Sequence, residues 1–340
     1  AIRHDVTLRQ LDLTGNRLTT LPEWLGERPH LATLYLDENQ LRELPESMSH
    51  LPHLAELHLD NNLLTSLPDS FGKLTSLKAL HVMQNRLEML PESLWQLPNL
   101  QILYLGDNPL KSIPESIGNL KALTELYIHN SGFTTLPEAF GELVQLRVLD
   151  LGHNALIDLP PSLGRLSNLA FLYISDNRLT TLPESLFEQL GNLRYLNITD
   201  NGLTTLPETL GKLTNLQEFR LYNNQLTTLP EAIGNLSQLR ELHAMNNRLA
   251  SLPESIGNLT SLTHLDLRNN QLSTLPESLR RLHNLTHLDL RNNRLTTVPP
   301  MIEALPNLRK LDLRWNKLRS LPDWLQRLEQ QGCTVYLSCH

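Results

Sequence analysis

The chain has 340 residues, 40% of them hydrophobic, with a formal net charge of -7 and two cysteines. That length supports a large core, and the acidic balance argues against the basic face of a nucleic-acid binder. No apolar run is long enough to span a bilayer, and the opening AIRHDVTLRQ has no signal-peptide apolar core.

From Leu8 onward one pattern returns: L-x-x-L-x-L-x-x-N-x-L, then x-x-L-P-x-x-L-G-x-L. Its asparagines are Asn16, Asn39, Asn62, Asn85, Asn108, Asn154, Asn177, Asn201, Asn224, Asn247, Asn270, Asn293 and Asn316. The spacing is 23, except for a gap of 46 between Asn108 and Asn154, with Ser131 at its midpoint, and one of 24 between Asn177 and Asn201. Fourteen prolines, from Pro22 to Pro322, keep the same phase. A fixed period of this length is the signature of a stacked-repeat architecture.

Each repeat predicts the same elements. The L-x-L alternation gives a short strand with its leucines on one face, and successive strands stack in parallel about 4.8 Å apart. The Asn amide satisfies backbone groups where the chain turns inward. Pro is expected at the first position of a short helical or 3-10 segment, followed by Glu or Asp at twelve of the fourteen repeats. AIRHDVT, before Leu8, is too short for a helical cap; either it forms a crude strand cap or, the reading preferred here, the chain is cut from something larger. At the other end LPDWLQRLEQQGCTVYL predicts a longer last helix and a fifteenth strand, with Val335 and Leu337 inward and Cys333 buried. Cys333 and Cys339 lie too far apart in an extended chain for a disulfide, which favours a reducing compartment.

These residues resemble leucine-rich repeat proteins of the 23-residue LPxxIGxL subtype. That subtype is similar to Ras-scaffold and Scribble-type proteins, plant Ras-group proteins and bacterial effector repeat domains. The resemblance covers residues 8–325. It implies an α/β, right-handed leucine-rich repeat solenoid, or horseshoe, with a parallel concave sheet and short helical or 3-10 convex segments. Residues 1–340 are expected to form a single domain, with regular repeats over 8–325 and a cap strand in 326–340.

With the leading Leu as position 1 and the Asn as position 9, positions 3, 5, 7 and 8 are expected on the concave face. Six of the seven tyrosines fall there. The predicted partner-binding residues are Tyr35, His58, His81, Tyr104, Tyr127, His129, Asp150, His153, Phe171, Tyr173, Tyr195, Arg220, Tyr222 and His243. Tyrosine offers rigid contact area with a polar tip, and it also favours strands for its own sake. Near the C-terminus, Asp266, Asp289 and Asp312 each precede an arginine by two residues, at Arg268, Arg291 and Arg314, which predicts ion pairs within the sheet. Trp315 stands where its neighbours have Asn269 and Asn292.

Enzyme chemistry finds no footing. There is no G-x-x-x-x-G-K-[ST] and no H-E-x-x-H, and neither cysteine is placed with a nearby histidine in an obvious pocket. The pairs His58/His81 and His264/His287 lack the three or four ligands of a zinc site. No cofactor and no metal are expected. The predicted function is non-catalytic protein binding on the concave face, by a monomer in the cytoplasm, with neither nucleic acid nor membrane as partner. The alternative is the substrate-recognition domain of a larger enzyme or of a secreted bacterial effector, such as a ubiquitin ligase or kinase acting in the host cytoplasm. Two further features stand out: Ala244 replaces a strand Leu, and Phe219 replaces another one repeat earlier.

Overall fold

In the computed structural model, residues 5–338 are described; part of AIRHDVT, and Cys339, lie outside them. The chain packs as two compact units, the first ending at Leu169 and the second starting at Ala170. The first holds seven strands: β1 (Gln10–Asp12), β2 (Thr33–Tyr35), β3 (Glu56–His58), β4 (Ala79–His81), β5 (Ile102–Tyr104), β6 (Glu125–Tyr127) and β7 (Val148–Asp150). The second holds eight: β8 (Phe171–Tyr173), β9 (Tyr195–Asn197), β10 (Glu218–Arg220), β11 (Glu241–His243), β12 (His264–Asp266), β13 (His287–Asp289), β14 (Lys310–Asp312) and β15 (Thr334–Tyr336). Within each unit consecutive strands pair in parallel with no crossover.

Every strand occupies positions 3 to 5. From β2 to β14 the central residue, leucine except for Phe219, is buried, and so is the residue at position 6. Burying one leucine side chain contributes roughly 2 kcal/mol, repeated at every repeat. Phe219 pairs in register with Leu242, and Phe219 and Ala244 are both fully buried.

The asparagine at position 9 joins neighbouring repeats. In Asn62, Nδ2 donates to the carbonyls of Leu59 in its own repeat (3.1 Å) and Leu36 in the repeat before (2.9 Å). Oδ1 accepts the N–H of Leu41 at 3.1 Å. The same three bonds recur at Asn39, Asn85 and Asn108 in the first unit and at Asn224, Asn247, Asn270 and Asn293 in the second.

Ser131 interrupts this series. Its Oγ donates to the His129 carbonyl at 3.1 Å and supplies neither cross-repeat bond. Leu110 N–H turns to the Asn108 carbonyl, and the N–H groups of Ser131, Gly132 and Phe133 converge on Asn154 Oδ1. Asn130 does not compensate: its amide points outward to Asp107 Oδ1, 2.6 Å away. Phe133, in place of Leu, is fully buried beside the break.

The return path is a 3-10 segment in thirteen repeats, such as Glu23–Glu27, and helix α1 (Trp324–Gln330) in the last. The phased proline is not the first helical residue, as the sequence suggested. Pro22 is extended (φ -75, ψ 145) and caps the segment, and its carbonyl accepts the first helical bond from Leu25 at 3.0 Å. That bond forms at all fourteen phased prolines, from Pro22 to Pro322. Capping one residue early lets proline fix φ without losing a donor. The acid after proline also reaches the next repeat: Glu115 Oε2 accepts the Ala139 N–H at 3.0 Å. The 3-10 segments approach so closely that a Cβ on Gly26 would lie 2.1 Å from the Ser47 carbonyl oxygen. The C-terminal strand and buried Cys333 form as expected, whereas Val335 and Leu337 are only half-buried.

Asn62→Ala strands the buried Leu41 N–H and breaks two further bonds, and should cost about 3 kcal/mol. Ser131→Asn restores the missing bonds and should stabilise by about 1 kcal/mol. Urea denaturation of both variants beside the parent checks the opposite signs.

Candidate functional site

The side of each strand opposite the leucines is open. In the first unit its centre is a column of rings at position 5. Tyr35, His58, His81, Tyr104 and Tyr127 follow one another with centroids 4.5, 4.3, 4.4 and 4.4 Å apart. All five are half-buried, so the column presents ring edges and tips rather than whole faces. Tyr104 Oη donates to Glu125 Oε2 at 2.9 Å, and burial together with that carboxylate raises the Tyr104 pKa well above the usual phenol range. His58 Nε2 is buried without a hydrogen-bond partner, with Glu56 Oε2 3.6 Å away.

His129, at position 7, lies over Gly106. A Cβ on Gly106 would come within 2.5 Å of the ring, so glycine makes the room. Nδ1 is 3.3 Å from Asp150 Oδ2 and Nε2 is 3.4 Å from Asp107 Oδ2. Nδ1 is buried and within ion-pair reach of Asp150, though not aligned as a hydrogen bond. The carboxylates of Asp150 and then Asp107 raise the His129 pKa against the opposing effect of burial. His81 goes the other way: burial, aided by His58, lowers it to about 4. Asp60, with Oδ2 4.0 Å from His81 Nδ1, is raised to about 6 by burial and by Asp37. At pH 5 His81 and Asp60 are therefore both neutral.

In the second unit Phe171 is exposed, while Tyr173, Tyr195, Tyr222, Arg220 and His243 are half-buried. Tyr173 and Tyr195 lie 5.0 Å apart, and the Arg220 guanidinium sits 5.6 Å from the Tyr195 ring centre while its Nε donates to Glu218 at 2.6 Å. Further along, the expected ion pairs form: Arg268 with Asp266 (3.4 Å), Arg291 with Asp289 (2.6 Å) and with Asp312 (3.2 Å), and Arg314 with Asp312 (2.7 Å). A hollow of about 210 Å³ lies on this face, lined among others by His264, His287, Asp266 and Lys310.

The rings of His264 and His287 are stacked 4.3 Å apart. The Thr263 hydroxyl donates its single proton to the Arg240 carbonyl, so toward His264 Nδ1, at 2.9 Å, it can only accept. His264 Nδ1 therefore carries a proton, and Thr286 fixes His287 Nδ1 in the same way. Among the described residues, one group of three could hold a metal ion: Glu218, Glu241 and His243. Arg220 already occupies Glu218, and Glu241 Oε2 is 3.1 Å from His243 Nε2, so nothing there singles out a cation.

The structure brings together Tyr35, His58, His81, Tyr104 and Tyr127 in one column, and His129 with Asp150 beside it. Position 8 is the left-handed corner after the strand, with φ between 49° and 58° at thirteen repeats and 67° at Gly15, and His153 is exposed on it. The occupants were a legible signal: Gly, Asn and Asp, which tolerate that conformation, recur there. Trp315 also sits there, 61% exposed, at φ 58. Tyr336 was missed. It pairs in register with Asp312, with Arg314 5.2 Å from its ring centre, so the seventh tyrosine joins the same face.

A protonated His129 gains its two carboxylates only in the fold. That stability is full below the ordinary imidazole value of 6.5 and is lost as pH rises through the raised folded value. His81 acts oppositely, costing stability as pH falls from 6.5 toward 4, while Asp60 offsets it by gaining from 6 downward. Imidazole NMR should show His129 still charged where His81 is neutral, and His81 uncharged down to about 4.

The family described as Leucine-rich repeat region matches residues 2–86, 49–132 and 184–270, and paired and single leucine-rich repeats match 144–187, 283–326 and 261–282. A leucine-rich repeat protein of Leptospira interrogans is 36% identical, with a TM-score of 0.90, over 98% of this chain and 85% of that one. Toll, in the Toll–Spatzle complex of Drosophila, is 26% identical with a TM-score of 0.81, over 98% of this chain but 51% of its own. An internalin of Listeria monocytogenes, at 21% identity and a TM-score of 0.74 over 99% of this chain and 89% of that one, shares the fold. No curated protein matches. On the repeat, the strand ladder and these matches together, the chain belongs to the leucine-rich repeat family.

Proposed function

We propose that this chain is a non-catalytic recognition module that binds a protein partner along the open face of its sheet. The observation that carries this reading is the column from Tyr35 to Tyr127. The leucines and asparagines are spent on the fold, whereas the ring residues contribute little to the core and hold a rigid surface at fixed spacing. Rigid aromatic contact area costs little side-chain entropy on binding, which is why such residues concentrate in binding hot spots. Toll, which this chain resembles, is found in complex with Spatzle; protein binding, without that partner, is what we carry over. The sequence offers no nucleotide-binding or metalloprotease motif, which supports a non-catalytic role. The LPxxIGxL subtype also remains our proposal, on the phased prolines.

Tyr104→Ala and Tyr127→Ala should each weaken binding of the protein partner tenfold or more, a loss of at least 1.4 kcal/mol. Ile157→Ala, exposed and outside the sheet face, should leave it unchanged. Titration calorimetry of the three variants checks this, and equal affinities for all would remove the open face from the account.

A further inference from the structure

The two units differ in what neutralises their face carboxylates. In the second, Glu218, Asp266, Asp289 and Asp312 each face an arginine two residues on. In the first, positions 3, 5, 7 and 8 of the seven repeats hold eight acids and not one lysine or arginine. Those acids find only neutral or histidine partners. Asp37 Oδ1 accepts the Asp60 N–H, and Asp60 Oδ1 accepts the Met83 N–H. Glu125 accepts from Tyr104, and Asp107 and Asp150 share His129. The carboxylates flank the ring column on both sides, since positions 3 and 7 border position 5.

We propose that the face of the first unit binds an extended, lysine- or arginine-bearing segment of its protein partner, with the cationic side chains laid along the ring column and between its flanking carboxylates. This rests on the protein-recognition reading above and adds the chemistry of the partner. Charge complementarity selects the occupant. A cation laid along the column gains from the flanking carboxylates, and it relieves the charge crowding in which Glu38 and Asp12 add to burial in raising the Asp37 pKa and Asp37 does the same for Asp60. Five strands at their usual spacing span about 19 Å, which matches roughly six residues of extended chain. A second copy of this chain would bring a net charge of -7 to an acidic face. Nucleic acid is repelled by the same carboxylates.

The test is selection of random 12-residue phage-displayed peptides on the whole chain, followed by titration of the enriched peptides. Enriched sequences should carry net positive charge. Their affinity should fall at least tenfold with Tyr104→Ala, at least tenfold with Asp107→Asn combined with Asp150→Asn, and at least tenfold for the unmodified chain between 50 and 300 mM salt. The salt series needs no variant to fold. Neutral or acidic peptides that still depend on Tyr104 would overturn the cationic partner and leave protein recognition standing. Peptides that ignore both Tyr104 and the carboxylates would overturn both.

Discussion

The side-chain amide at position 9 is the bond on which the architecture turns. A chain that returns beside itself every 23 residues must bury the corner where the strand ends. Backbone groups left there without partners would cost more than the leucines on either side could return. One asparagine closes its own corner with one donor and reaches the previous repeat with the other donor and its oxygen. Leucine supplies the driving force, and asparagine sets the register that puts each leucine over the last.

With positions 4, 6 and 9 fixed in this way, the positions between them are free to carry chemistry, and the two units use them differently. The second unit sets Glu218, Asp266, Asp289 and Asp312 each against an arginine two residues on. The first stacks rings and leaves its acids to histidine and backbone donors. Gly106 is the clearest mark of specialisation. It gives up a side chain on the open face so that His129 can sit between Asp107 and Asp150, carboxylates from the repeats on either side of its own. The break in the amide series at Ser131 lies within the same repeat as Tyr127 and His129, so the most elaborated part of the face stands on the least tied part of the spine.

Much of this was legible in the sequence because repetition states the same local rule fourteen times. Strand positions, the 3-10 return, the buried Cys333 and the Asp–Arg pairs near the C-terminus all follow from spacing within one repeat. Three features did not. The proline cap falls one residue outside the segment because its carbonyl, rather than its ring, opens the turn. The left-handed corner carries position 8 past the end of the strand, so His153 is exposed on a turn. The pairing of His129 depends on a glycine 23 residues earlier and an aspartate 21 residues later, and no local pattern announces that. What is missing is harder to see than what is present: the lack of lysine and arginine on the first unit's face shows only once position is known.

Hydroxyl-radical footprinting, with the chain alone and bound to its protein partner, tests recognition by the open face most directly. Tyr104, Tyr127 and His129 should be protected in the complex, while Met89, Val144 and Ile157, exposed outside the sheet face, react as before. Protection of Met89, Val144 and Ile157 with the tyrosines unchanged would contradict the account.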